Sequence, residues 1–319
     1  MNWFGPTKEY YGEKWFSAME LAYPLQFRRF HSEASSATLV KHSPSPHQVA
    51  IVISGGGSDG PLLPGFVGEG LADACVVGAP YSAPNAYAIY EVSKELGKKQ
   101  GVLLMFNNFM GDFLNNDMAA ELLRLENYQV EALAINDDMG TALGEPKENR
   151  GGRCALPLMV KIAAGAAKEG KSLKEVTTLV KKASERVSTV SLVVDTEKNS
   201  VSFGNGFSGE QGFYHLENTT PQQTAEETVK LLISDIHPRP DEKLFLLVNR
   251  LRMTSYADSY IMAGYLHHAF SRDYQVTQMR VGAFSNILDV YGYTVTVLCS
   301  DAEIASYLEG YIHSDSFLL

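Results

Sequence analysis

Gln48-Val49-Ala50-Ile51-Val52-Ile53-Ser54-Gly55-Gly56-Gly57-Ser58-Asp59-Gly60-Pro61, continued by Leu62-Leu63-Pro64-Gly65-Phe66-Val67-Gly68-Glu69-Gly70, decides the fold. The β-branched run from Val49 to Ile53 predicts a strand buried on both faces. It runs directly into three glycines, a backbone free to take positive φ and open to close approach by a ligand. At the carboxyl end of a parallel strand such a loop is either a tight strand-to-helix turn or a cradle for a small molecule or phosphate. Triplet glycine costs more ordering entropy than a turn needs, which favours the cradle.

The same unit repeats downstream. Phe66 to Ala74 is expected to be a short helix and Cys75-Val76-Val77-Gly78 a short strand. Ser82 or Ala83, followed by Pro84, marks a helix start, and that helix runs through Ile89 and Leu96 to Gly97. Gly101–Phe106 is a second apolar strand ending on Asn107-Asn108-Phe109-Met110-Gly111-Asp112, and a helix follows through Met118, Leu122 and Leu125. Tyr128–Ile135 is a third strand, ending on Asn136-Asp137-Asp138. Strand, polar loop and helix in this alternation predict a doubly wound α/β domain with the polar loops gathered on one rim. Ser43-Pro44-Ser45-Pro46 reads as a linker. Before it, Trp15, Phe16, Met19, Leu21 and Leu25 are expected to share one helix face.

Two helices, Ala155–Glu169 and Ser172–Val187, come next, the second opened by a capping box of Ser172 and Glu175. Val190–Val194 and Val201–Gly204 read as strands joined by a turn. Gly204-Asn205-Gly206-Phe207-Ser208-Gly209-Glu210-Gln211-Gly212 is a second glycine-rich loop, marking sharp bends or backbone beside a ligand. The remainder predicts a second α/β unit: a helix from Thr220-Pro221 to Ile236, strands at Lys243–Val248, Val276–Phe284 and Gly292–Cys299, a helix over Ser255–Arg272, and a last helix capped by Asp301. The domains are expected at 1–44, 45–188 and 189–319.

A net charge of −10 argues against direct binding to nucleic acid or an acidic membrane, both of which need basic patches. Cys75, Cys154 and Cys299 lack zinc or redox spacing and read as core thiols of a cytoplasmic protein. No apolar run reaches the ~20 residues of a membrane span, and the N-terminus lacks the pattern of a signal peptide. No Gly-Lys-Ser/Thr follows Gly57 and no GxGxxG is present, so nucleotide binding by this chain alone is not expected. Asp112, after a glycine at a helix start, is either a structural first-turn carboxylate or a base for a hydroxyl. Asn136, Asp137 and Asp138 fit Mg²⁺ ligation or loop capping. The eight histidines have no metal-binding spacing, and only His215 lies near a glycine loop.

These residues carry a resemblance. Ile53–Ser58, Gly65–Gly70, Gly101–Leu104, Asn108–Asp112, Asn136–Asp138, Lys161–Ala167, Gly206–Gly212 and Leu246–Asn249 follow in the order of the substrate-binding subunit, DhaK, of dihydroxyacetone kinases, over roughly residues 45–310. The resemblance implies two α/β domains of the DhaK type, the first doubly wound with a mostly parallel sheet, usually in a homodimer that holds a short ketone. It places ADP and Mg²⁺ on a separate, DhaL-like subunit, so no cofactor or metal is expected on this chain. The family's covalent histidine, in a GIHGEPG-like loop, corresponds to Ser208. Its second histidine is missing from the shortened Asp59-Gly60-Pro61, and Asn107 stands in place of its lysine. Asp112 matches the aspartate that acts on the substrate hydroxyl. Gly56, Gly57, Ser58, Asp59, Asn107, Ser208 and Gly209 are the expected substrate-binding residues, with Asp112 as the residual catalytic group. A serine hydroxyl without an activating base is a poor nucleophile toward a ketone, so covalent capture is expected to be lost. Two readings follow: a non-catalytic sensor or coactivator of the DhaQ type, paired with a TetR-like regulator, or a working kinase subunit for a related ketose.

Overall fold

β3 (Ala50–Gly57) is the hub of the first sheet, flanked in parallel by β4 (Ala74–Pro80) on one side and β5 (Val102–Asn107) on the other. The computed structural model describes residues 10–34, 36–57, 62–206, 210–285 and 290–309. β6 (Val130–Ile135) extends the sheet in parallel beyond β5. Two strands that hydrophobic patterning did not reveal, β1 (Phe27–Phe30) and β2 (Ala37–Lys41), add antiparallel pairs beside β4, giving the order β1-β2-β4-β3-β5-β6. Two strands from within the expected 1–44 segment are therefore part of the first sheet.

Alternation along the strands explains why helices cover both faces. Val52, Val76 and Leu104 form one apolar cluster with Ile89 and Val92 of α2 (Ala86–Leu96) and Ala119, Ala120 and Leu123 of α3 (Met110–Leu125). Ile51, Ile53, Leu103 and Met105, one residue out of phase, are also fully buried, and α4 (Leu156–Lys168) packs on β3 and β5. This is the doubly wound arrangement.

The chain divides into two compact units, residues 1–135, 156–181 and 307–319 in one, and 136–155 and 182–306 in the other. The second is built on the sheet β11-β10-β12-β7-β8-β9: β7 (Val187–Asp195), β8 (Ser200–Phe203), β9 (Tyr214–Leu216), β10 (Lys243–Arg250), β11 (Val276–Gly282) and β12 (Gly292–Ser300). Among the described residues of this sheet only β10 and β11 pair in parallel. α6 (Pro221–Ile236) and α7 (Tyr256–Phe270) bury Leu232, Met262, Leu266 and Phe270 against Val190, Leu246 and Val295 of this sheet. Thr220 opens α6 with a complete capping box to Gln223. α5 (Leu173–Glu185) begins at the expected Ser172–Glu175 box, and Asp301 caps α8 (Ala302–Glu309) through the Ile304 N–H.

Several expectations are corrected. The helix expected over Phe66–Ala74 is a single 3₁₀ turn, Pro64–Phe66, because Gly68 and Gly70 take positive φ and redirect the chain into β4. α2 is capped not by Ser82 or Ala83 but by Asn85, whose side chain accepts the Tyr87 N–H at 2.8 Å. In α1 (Tyr10–Ala22) Phe16 is buried, while Leu21 is exposed, as is Leu25 beyond the helix end, so these leucines do not share its inner face.

Candidate active site

The three glycines of β3 do not make a turn. None has positive φ among the described residues, and the strand continues through them to Gly57, with a register irregularity opposite β4. Their missing side chains are needed by the chain itself. A Cβ on Gly57 would lie 2.7 Å from the Gly78 carbonyl oxygen, and one on Gly56 3.0 Å from the Ser82 nitrogen. The Tyr81 N–H donates to the Gly57 carbonyl at 2.9 Å. The triplet therefore lets the segment after β4 fold back against the end of β3, and fixes the backbone of one wall of the rim. Ser58, Asp59, Gly60 and Pro61 lie outside the described residues.

Beside that wall stands Asp112, in the first turn of α3. α3 has no side-chain cap: Phe109 occupies the cap position and serves the first turn through its backbone carbonyl alone, which accepts the Phe113 N–H at 2.8 Å. Asp112 is 6% exposed, and its Oδ1 is fully buried without a hydrogen-bond partner among the described residues. A buried carboxylate in that state carries the full cost of desolvation. Burial pushes its pKa up to about 7. It can hold or release a proton near neutrality and can accept a hydrogen bond from a hydroxyl. Asn107, at the end of β5, is likewise buried with a partnerless Oδ1. Two buried oxygens five residues apart, at the carboxyl end of a parallel strand, thus have no hydrogen-bond partner among the described residues.

Sequence reasoning missed the residues that hold Asp112 in place. The Ser54 hydroxyl donates to Asn116 Oδ1 at 2.9 Å, and Asn116 Nδ2 donates to the Asp112 carbonyl oxygen at 2.8 Å. Both side chains are buried. The chain Ser54–Asn116–Asp112 ties the last apolar turn of β3 to the first turn of α3. The signal for it was a serine between Ile53 and the glycines, a polar residue in an otherwise apolar run.

Asn136, Asp137 and Asp138 have a different use. Asp137 accepts the backbone N–H groups of Arg153, Cys154 and Ala155 at 2.7, 3.0 and 2.9 Å and the Thr189 hydroxyl at 2.5 Å. Asp138 accepts Arg153 Nε at 2.6 Å and the Gly140 N–H at 2.9 Å. These carboxylates are committed to the loop before α4, and the Mg²⁺ reading of the segment gives way to capping. Among the described residues no group of three or more histidine, cysteine or acidic side chains is placed to hold a metal.

In the second loop, Gly204 has φ +83°, and a Cβ on Gly140 would sit 2.4 Å from its carbonyl oxygen, so this glycine pair serves a close backbone crossing. Phe207, Ser208 and Gly209 lie outside the described residues. His215 is exposed in β9, opposite Ser202, on the edge strand of the second sheet.

Residues 21–315 match the Dak1 domain family. The "PTS-dependent dihydroxyacetone kinase, dihydroxyacetone-binding subunit DhaK" of Lactococcus lactis is 27% identical over 272 residues, 81% of this chain and 82% of that protein. The D-erythrulose kinase of Mycolicibacterium smegmatis is 28% identical, and the match spans 82% of this chain but 48% of that longer protein. Among solved structures, one described as "Regulation of the dha operon of Lactococcus lactis" superposes with a TM-score of 0.88 at 24% identity, covering 96% of this chain and 95% of that one. "Dihydroxyacetone kinase operon co-activator Dha-DhaQ" superposes with a TM-score of 0.84 at 23% identity, covering 94% and 96%. At these identities the superpositions establish the fold.

Proposed function

The chain belongs to the Dak1 domain family, and from that premise we propose that it binds a short hydroxyketone of the dihydroxyacetone type without a covalent bond and acts as a non-catalytic sensor or coactivator. The observation that carries this reading is Asp112: a buried carboxylate with a partnerless oxygen, held by Ser54 and Asn116 at the rim of the first sheet. A polyol hydroxyl donated to it would remove the cost of leaving it unsatisfied. The non-covalent mode follows from Ser208, which stands where the resemblance places the covalent histidine. Gly56, Gly57, Ser58, Asp59, Asn107 and Gly209 complete the proposed substrate-binding set.

A protein partner fits the surface beside the site. Met110, Leu114 and Met118 of α3 are 75, 56 and 57% exposed, and Phe113 is half-exposed, an apolar stripe next to Asp112 of the kind that marks interaction surfaces. For a coactivator the partner is a TetR-like regulator, which would also contact DNA on behalf of this acidic chain. For a kinase subunit it is a DhaL-like protein carrying ADP and Mg²⁺. We further infer a homodimer and a cytoplasmic setting.

The second reading, an active ketose kinase subunit, is favoured by the raised pKa of Asp112, which suits a base that must take a hydroxyl proton near pH 7. A thermal-shift panel of trioses and tetroses, followed by a phosphoryl-transfer assay with a family ADP subunit and phosphodonor, separates the two. Stabilisation without turnover supports the sensor. Phosphate ester formation from dihydroxyacetone overturns it in favour of the kinase.

A further inference from the structure

The turn that carries the chain out of β4 holds an unexpected residue. The Ser82 N–H donates to the Ala79 carbonyl at 2.9 Å, Pro80 takes the second position, and Tyr81, at the third, has φ +61°. These are the marks of a type II turn, whose third position is the left-handed one that glycine or asparagine normally fills. A Cβ in that region crowds the following carbonyl oxygen, so a tyrosine there strains the backbone. The other non-glycine residues at positive φ among those described are Asn127, Asn199, Asn218, His237 and Ala142. Asparagine and histidine tolerate the region, and alanine brings the smallest side chain to it.

Burial does not repay this strain, because Tyr81 is 69% exposed. What the turn does have is a defined place. On one side the Tyr81 N–H donates to the Gly57 carbonyl at 2.9 Å, and the missing side chain of Gly56 admits the Ser82 nitrogen, 3.0 Å from where its Cβ would be. On the other side a Cβ on Gly111 would lie 3.1 Å from that of Ala83, and Asn115 Nδ2 donates to the Pro84 carbonyl at 2.8 Å. Gly111 and Asn115 flank Asp112 in α3. The turn is thus wedged between the glycine wall of β3 and the start of α3, the two elements that frame the candidate site, and Tyr81 stands at its exposed end.

We propose that Tyr81 is a specificity-determining residue of the hydroxyketone site: its ring forms the outer wall and limits the length of the ketose that Asp112 can hold. The assignment rests on the ketose reading above and adds to it what selects among ketoses. Backbone strain is retained where the strained residue has a task that the relaxed one could not perform. Glycine would relax this turn but would leave the mouth of the site open. Tyrosine brings a broad, rigid face with only two side-chain torsions to freeze. The C–H face of a short polyol can lie against that ring while its hydroxyls turn toward the buried Asp112 and Asn107 oxygens. A wall at a fixed distance from those oxygens counts carbons. Apolar pockets discriminate one carbon unit by about 10–200-fold, which bounds what the ring can contribute.

The test is calorimetric titration of the full chain with dihydroxyacetone and with erythrulose, one CHOH unit longer, read as the ratio of the two Kd values. Tyr81→Gly suits the backbone at φ +61°, so the fold is retained and the thermal unfolding midpoint is not lowered. In that variant the ratio is expected to move at least ~5-fold in favour of erythrulose, within the range one carbon unit allows. Tyr81→Phe, which puts the ring back, is expected to restore the ratio. A purely structural role would change the unfolding midpoint or both affinities together and leave the ratio where it was. A Tyr81→Gly chain with an unchanged ratio overturns the assignment and leaves the ketose reading standing. A Tyr81→Phe chain that keeps the ratio of Tyr81→Gly overturns the part given to the ring. An unaltered chain that binds neither ketose overturns the assignment and the ketose reading together.

Discussion

Two buried aspartates follow the carboxyl ends of neighbouring parallel strands, Asp112 after β5 and Asp137 after β6, and they are opposites. Asp137 is completely satisfied, with three backbone N–H groups and one hydroxyl on its two oxygens. Asp112 keeps an oxygen with no partner among the described residues and has a pKa raised to about 7 by burial. The first arrangement stabilises the fold; the second is a cost that the fold tolerates. The proposed hydroxyketone site would supply the partner that Asp112 lacks among the described residues.

The sharpest way to break this contrast is at Asp137. Asp137→Ala strands three N–H groups and a hydroxyl in the interior, at about 1–3 kcal/mol per lost partner with partial relaxation. We expect a loss on the order of 3–5 kcal/mol in urea unfolding. A loss below about 1 kcal/mol would show that the loop before α4 does not depend on it.

Asp112→Asn should act in the opposite direction. An unfolded aspartate titrates near ~3.9, and the folded one near 7. Between those values the folded state holds the extra proton, so stability falls as pH rises across the window and is lowest above it. Replacing the carboxylate removes that cost. The variant is expected to gain about 1–3 kcal/mol at pH 8, with the gain vanishing toward pH 4. Urea midpoints followed against pH check both the sign and the window.

Asn116→Ala tests the link behind the site. It removes the acceptor of Ser54 and the donor to the Asp112 carbonyl. About 1–2 kcal/mol of stability should be lost, together with a several-fold loss in hydroxyketone affinity by calorimetry. Unchanged affinity would reduce the link to a structural one. Smallest and most graded are the glycines. Gly57→Ala meets a backbone carbonyl at 2.7 Å and should cost about 1–3 kcal/mol, whereas Gly55→Ala meets only the Leu63 side-chain tip at 3.3 Å and should be within about 0.5 kcal/mol of neutral. Equal costs in thermal denaturation would contradict the packing role assigned to the triplet.

The fold was legible where periodicity is strong. The runs Val49–Ile53 and Gly101–Phe106 announce parallel strands because both their faces are buried, and Tyr128–Ile135 still reads as a strand although β6, at the sheet edge, buries only Val130, Leu133 and Ile135 fully. β1 and β2 were hidden because Phe-Arg-Arg-Phe and Ala-Thr-Leu-Val-Lys are short and half polar, and they are recruited only by antiparallel pairing beside β4. The aspartate of the site was legible from its place after a strand and glycine. Its difference from Asp137 was not, since that depends on N–H groups sixteen to eighteen residues away. The glycine triplet was read for its freedom at positive φ, and the chain uses instead its lack of a Cβ in an extended strand.

Calorimetric titration of dihydroxyacetone into the unaltered chain and into Asp112→Asn, with the intact mass of the complex recorded, tests the central claim most directly. Saturable binding by the unaltered chain, at least ~10-fold weaker in the variant and without a retained mass increment, is the predicted result. Equal binding by both chains, or a mass increment that survives removal of free ligand, would contradict it.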